Sequence, residues 1–172
     1  MTTQRRVHWW TAALVAVMLV LGWSMVAVPL ALLLVKFVLY QAHKTIGIVI
    51  FGLTLWRLAL RRWRGGATLP PGWRGVAAGT VHAALLVLLL AMPVTGFLLS
   101  AASPSGVPTL FLGFIAIPHP IGPDPVLFAR LQGLHRLEGW AMLVLGLAHG
   151  GAGLLFHRAM IPGPRQTGAT PG

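Results

Sequence analysis

Two histidines, His135 and His149, stand fourteen residues apart within the apolar run LQGLHRLEGWAMLVLGLAHGGAGLLFH, residues 131–157. On an α-helix fourteen residues fall just short of four turns, so both imidazoles leave one face, about 21 Å apart along the axis. Such a helix can serve two stacked sites, one near each side of a membrane. A single histidine in a membrane helix is well explained by a hydrogen bond to a neighbouring helix. Two in register are harder to account for that way, because polar groups at membrane depth are costly and mark functional sites by default. Gly133, Gly139, Gly146, Gly150 and Gly151 surround the pair. Small residues here admit either a close helix, as the spacing Gly146-xxx-Gly150 suggests, or a flat cofactor.

The rest of the composition agrees with a lipid solvent. The chain has 172 residues, of which 56% are hydrophobic and 9% charged, and its mean hydropathy is +0.81. That is more apolar surface than a soluble domain of this size can bury, so an integral membrane protein is expected. The formal charge of +11 would suggest nucleic acid in a soluble chain. Here only Asp124 and Glu138 offset thirteen bases, and the bases cluster at the ends of apolar segments. This pattern reads as topology and not as nucleic-acid binding. The absence of cysteine removes disulfides, thiolate zinc sites, iron–sulfur clusters and covalently attached c-type haem. Histidine is the one abundant potential ligand, with seven in the chain: His8, His43, His82, His119, His135, His149 and His157.

Taken in order, the chain predicts four membrane helices, at about 7–28, 38–60, 79–99 and 134–156, in a single domain covering 1–172. The first apolar run, after Arg5 and Arg6, exceeds the ~7–15 residue core of a cleavable signal peptide and lacks a clear small-x-small site, so it is read as a span. Trp9 and Trp10 beside His8 are interface anchors. Pro29 and Lys36 mark a short turn before the second helix, which leaves the membrane through Arg57, Arg61, Arg62 and Arg64. Pro93 is expected to kink the third helix. A loop from Ser100 to Gln132 contains six prolines, and its length marks it as functional or as a cap over the outer face. His119 lies in it and is read as an exposed loop histidine without a role. The tail from 159 to 172, rich in proline and glycine, is expected to be disordered.

Counting bases by side places nine with the termini and the central basic loop, and four (Lys36, Lys44, Arg130 and Arg136) on the opposite side. The positive-inside rule makes the first side cytoplasmic, with both termini there. The expected architecture is an all-α membrane protein, a four-transmembrane-helix bundle.

On that topology His43 and His135 lie near the outer surface, and His8, His82 and His149 near the inner one. A b-type haem takes imidazole nitrogens on opposite faces of a flat ring, from different helices and among apolar side chains. His43 with His135 meets this need outside. Inside, depth alone does not choose between His8 with His149 and His82 with His149. Gly22 lies fourteen residues after His8 and would face the outer ring as His8 faces the inner one, a hint toward His8. Gly96 lies likewise fourteen residues beyond His82.

The landmarks HWW at His8, QAHKTIGI at His43, TVHAALLVLLLAMPVTGF at His82 and GLHRLEGWAMLVLGLAHGGAGLLFH from Gly133 resemble the bacterial four-helix cytochrome b-561 proteins over about residues 5–160. That family shares its architecture with the cytochrome b subunits of formate dehydrogenases and nickel–iron hydrogenases. The resemblance implies two non-covalent b-type haems, with iron ligands from the first, second and fourth helices. His43 and His135 would hold the outer haem iron, and His8 and His149 the inner. It implies a quinone near the inner haem, where His82 and His157 are left as non-ligands and where Arg57, fourteen residues after His43, is placed to pair with a propionate.

Some members of that family are described as oxidising superoxide at the outer face and passing the electrons to ubiquinone. The resemblance therefore implies a quinone-linked oxidoreductase of the bacterial inner membrane, with Lys44, Arg130 and Arg136 flanking the outer ligands and able to attract a small anion. The alternative is an electron-transfer subunit that anchors a periplasmic dehydrogenase or hydrogenase. Membrane lipid, quinone and superoxide or a periplasmic redox partner are the expected associates, and nucleic acid is not. The sequence is silent on oligomeric state.

Overall fold

A computed structural model describes residues 3–64 and 71–159; of these, the side chains of residues 63–64 and 156–159 lie outside the description. Four helices account for most of the chain: α1 (Thr3–Ala27), α2 (Leu33–Arg64), α3 (Trp73–Ala101) and α4 (Pro125–Ala159). A 3₁₀ turn at Leu30–Leu32 leads into α2, and a two-stranded antiparallel hairpin, β1 (Thr109–Phe111) with β2 (Ile115–Ile117), lies between α3 and α4. The tail expected to be disordered lies outside the described residues from 160 onward.

Helix is what long apolar segments must adopt in lipid, because it satisfies each backbone N–H and C=O within the segment. Among the described residues, three helical segments are long and apolar enough to cross a membrane: Thr3–Ala27, Leu30–Arg62 and Trp73–Ala101. Large apolar side chains such as Val20, Leu34, Val76 and Val87 face outward, more than half exposed, as lipid-facing positions do. α4 is 35 residues long. Over its described side chains, which end at residue 155, it is not among the three.

All four helices begin before their predicted starts, most of all α4, which begins at Pro125 and not near 134. The cause is a start signal. Asp124 accepts hydrogen bonds at Oδ1 from the Val126 and Leu127 N–H groups, 2.9 and 3.0 Å away, with Pro125 at the first helical position, where its missing N–H costs nothing. The loop predicted over Ser100–Gln132 therefore shrinks to the stretch between Ala101 and Pro125 and contains the hairpin.

Neighbouring helices pack in sequence order, α1 on α2, α2 on α3 and α3 on α4. At the turn between α1 and α2, the end that the charge count predicts to be the outer one, Lys36 Nζ donates to the carbonyls of Met25 (3.1 Å) and Val28 (2.8 Å). α1 has no basic residue of its own in its last turn, so Lys36 satisfies the orphan carbonyls and opposes the negative end of the helix dipole. At the inner end Gln4 Nε2 donates to the Leu60 carbonyl, 3.3 Å, joining the start of α1 to the end of α2.

The hairpin is fastened to the outer end of α2. Gln41, 5% exposed, donates from Nε2 to Pro108 O (3.0 Å) and accepts at Oε1 from Leu110 N–H (3.0 Å). Its amide thus stands in for a neighbouring strand along the edge of β1. One turn on, Thr45 Oγ1 accepts from Leu112 N–H at 3.1 Å. Leu112 has φ of 54° and Gly113 of 85°, and a branched side chain in the left-handed region is strained. The bond to Thr45 helps hold Leu112 in it.

Candidate haem sites

α4 presents one continuous face to the interior. At 100° per residue, Glu138, Gly139, Met142, Gly146, His149 and Gly153 all lie within about 60° of His135 around the helix. A Cβ placed on Gly139, Gly146, Gly150 or Gly153 would meet nothing within 4 Å. No helix closes on these glycines, so among the described residues the close-packing use of Gly146-xxx-Gly150 does not occur. They leave flat backbone open along this face of α4, where α4 meets α1 and α2 through aromatic side chains.

Near the outer surface, His43 of α2 and His135 of α4 face each other with ring centroids 6.3 Å apart and planes at 77°. At the inner level, His8 of α1 and His149 of α4 are 6.0 Å apart at 84°, and His82 of α3 lies 4.9 Å from His149. A metal–imidazole bond is about 2.0–2.1 Å long. With each ring centre about 1.2 Å behind its nitrogen, two imidazoles across one iron have centroids about 6.4 Å apart. The His43–His135 and His8–His149 separations fit that figure. His82–His149 falls short of it, and the His82 side chain is exposed whereas those of His8 and His149 are half-buried. Trp23 and Trp140, 5.4 Å apart, add a further contact between α1 and α4.

The fourteen-residue glycine echoes hold in three dimensions. A Cβ on Gly22 would come within 3.5 Å of His43 Cε1, and one on Gly96 within 3.1 Å of His135 Cε1. The outer imidazoles thus rest against glycines of α1 and α3, which leaves room for the rings. Gly47 does different work: it receives Met18 Cε at 3.6 Å where α1 and α2 pack.

The two outer imidazoles differ in their second partners. Thr95 Oγ1 lies 3.1 Å from His135 Nδ1 and donates to Glu138 Oε2 at 2.6 Å. Glu138 is 8% exposed. His43 Nδ1 is the one buried side-chain nitrogen or oxygen without a hydrogen-bond partner among the described residues. These imidazoles, with ring centroids 6.3 and 6.0 Å apart beside glycines that leave open space, fit a bis-imidazole haem at each level.

Sequence reasoning gave Glu138 no role beyond the charge count and gave Thr95 none. The signal for Glu138 was present, since an acid three residues after a histidine shares its helix face. Thr95 carries no such signal, because α3 brings it to His135 only on folding.

The remaining predicted site residues are more dispersed. Arg57 is half-buried near the inner level, with its charge close to His8 and His82. The side chain of His157 lies outside the described residues. Lys44 Nζ donates to Pro108 O at 3.3 Å beneath the hairpin, and Arg130 and Arg136 are exposed on α4.

His119 corrects the reading of an exposed loop residue. It is half-buried, with Nε2 3.1 Å from Thr109 Oγ1 and its ring against Phe97, centroids 5.6 Å apart. Thr109, 1% exposed, in turn reaches Ser100 Oγ at 3.2 Å, so the loop is tied back to α3. Burial, and secondarily the charge of Lys44, hold the His119 pKa below the usual histidine value.

The sequence profile of the prokaryotic cytochrome b561 family matches residues 2–163. Cytochrome b561 homolog 1 of Escherichia coli (strain K12) is 31% identical over 164 residues, which is 90% of this chain and 88% of the relative.

Proposed function

The chain belongs to the prokaryotic cytochrome b561 family, which makes it a multi-pass membrane electron-transfer protein using b-type haem, and from that premise we propose that it carries electrons between an outer one-electron donor and membrane ubiquinone by way of two haems. The observation that carries this reading is the pairing of four histidines at two levels of α4, with ring separations of 6.3 and 6.0 Å. In this scheme His43 and His135 bind the outer haem iron and His8 and His149 the inner. When bound, haem supplies a reversible one-electron iron couple. The protein's own residues hold it by imidazole, exclude water with apolar side chains, and set its surroundings.

The same scheme takes α4 as a fourth span and places the protein in the bacterial inner membrane with both termini cytoplasmic, supported by the basic residues at the inner end of α2. His82 is then the exposed imidazole nearest the inner pair, suited to a hydrogen bond with a quinone carbonyl, and His157 is assigned to the same quinone region. Arg57 is a propionate partner there. At the outer end Lys44, Arg130 and Arg136 give an approaching anion a positive field, and superoxide is the proposed donor. Two superoxide ions released as two O₂ supply two electrons, which with two protons reduce one quinone to quinol.

The test is haem content and reduced-minus-oxidised spectra of the purified protein and its alanine variants. About two haems per chain are expected. His43→Ala and His135→Ala should remove one, His8→Ala and His149→Ala the other, while His82→Ala should retain both. A colourless wild-type protein, or loss of a haem in His82→Ala but not His8→Ala, would overturn the scheme. Superoxide consumption by the isolated chain with a quinone acceptor tests the donor. Recovery of a stoichiometric dehydrogenase or hydrogenase subunit would instead assign the role of a membrane anchor.

A further inference from the structure

Glu138 is one of only two acids in the chain, and it sits on a membrane helix, 8% exposed. An uncompensated carboxylate there would be costly, so its partners are informative. Its Oε2 accepts from Thr95 Oγ1 at 2.6 Å, while its distance to His135 Nδ1 is 3.7 Å, too long for a hydrogen bond. Thr95 is the coupler. A threonine hydroxyl has one proton and two lone pairs. The Met92 carbonyl at 3.0 Å competes for that proton, but the shorter, charge-assisted bond to Glu138 takes it. Thr95 Oγ1 is left to accept from His135 Nδ1, 3.1 Å away. The chain of donors then runs from Nδ1–H through the hydroxyl to the carboxylate, which fixes the proton on Nδ1 and leaves the Nε2 lone pair bare.

We propose that Thr95 and Glu138 form a positioning relay that locks His135 in the tautomer able to bind iron through Nε2 and lowers the reduction potential of the outer haem. The inference rests on the reading of His135 as an outer ligand. An anion reached through one hydroxyl raises the basicity of the ligating nitrogen and favours the oxidised iron. His43, the partner across the site, has no hydrogen bond at Nδ1, so the electron-donating push comes from the α4 side. Thr95 adjoins Gly96, whose missing side chain leaves room for the His135 ring; one turn of α3 both seats the ring and polarises it.

The experiment is an optical redox titration of the full-length protein in detergent, with haem per chain measured on the same samples, for wild type, Glu138→Gln, Thr95→Val, Thr95→Ser and the double variant Glu138→Gln/Thr95→Val. Glu138→Gln and Thr95→Val should each move one of two titration waves to higher potential and leave the other in place. Thr95→Ser should restore the wild-type curve, and the double variant should move no further than Thr95→Val alone, because the groups act in series. Both waves unchanged, with haem still bound, would overturn the relay. Retention of both haems by His135→Ala would instead overturn the ligand assignment beneath it. Nitrogen-15 spectra of histidine-labelled, haem-free protein give a second readout. His135 should hold its proton on Nδ1 in wild type and become a tautomer mixture in Thr95→Val; a mixture already in wild type would refute the proposal.

Discussion

Gly96→Ala is a one-methyl test of the outer site. The new Cβ would stand 3.1 Å from His135 Cε1 and 3.6 Å from Nδ1, whereas carbon atoms in ordinary contact are about 3.5–4.0 Å apart. The ring must therefore retreat from α3 by about 0.5 Å. Thr95 lies on the same helix, so the retreat lengthens its 3.1 Å contact with Nδ1 to about 3.6 Å, beyond hydrogen-bonding range. Losing that bond costs about 1 kcal/mol, which corresponds to about fivefold weaker retention of the outer haem. Replacing glycine by alanine within a helix returns about 0.5–1 kcal/mol, so the helix itself is not destabilised. Gly22→Ala is the control: its Cβ would meet the His43 ring at 3.5 Å, an ordinary contact, and haem retention should be unchanged. The assay is haem transfer to an excess of a soluble apo-globin, followed optically. Equal release rates from wild type and Gly96→Ala would refute the argument that Gly96 lets His135 approach α3 closely enough to keep its hydrogen bond to Thr95.

Three further outcomes follow from other parts of the molecule. Lys36→Met strips the end of α1 of its cation and should lower stability by about 1 kcal/mol, read as a drop of several degrees in thermal unfolding in detergent, with haem spectra unaltered below the transition. Asp124→Ala removes the cap of α4 and should cost about 1 kcal/mol, most of it regained by Asp124→Asn, with hydrogen exchange rising first over residues 125–128. For His119, the folded pKa is depressed, chiefly by burial, so the unfolded chain takes up the proton first. Its contribution is present above the unfolded value of about 6.5 and is lost as pH falls below that value. Melting temperatures compared between wild type and His119→Gln should converge on acidification, and a gap that widens would reverse the sign.

What could be read from the sequence divides along a physical line. Hydropathy reports where lipid covers the chain, and helices do not stop where lipid does. Each predicted helix was therefore found but begun too late, α1 at 7 against Thr3 and α3 at 79 against Trp73. The one large miss, the start of α4, left a signal in Asp124–Pro125 that the search for apolar runs passed over. The fourteen-residue echoes of Gly22 and Gly96 were legible because register on one helix is arithmetic. Thr95 against Glu138, Gln41 against β1 and Lys36 on the carbonyls of α1 were not, since each joins side chains whose meeting depends on how separate elements pack. His119 failed for a related reason: a PHP stretch looks solvated until Phe97 is laid beside it.

Both imidazole pairs draw one ring from α4, which leaves the ribosome after α1, α2 and α3. While α1, α2 and α3 are being made and inserted, the growing chain holds His8, His43 and His82 but neither finished pair. Domains emerge N-terminal end first at about 5–20 residues per second, so several seconds separate the first histidine from its partner. A chain broken off before Pro125 would contain neither pair. On the proposed ligand scheme cofactor loading waits until α4 has been made, and a coloured product certifies a chain made through that helix.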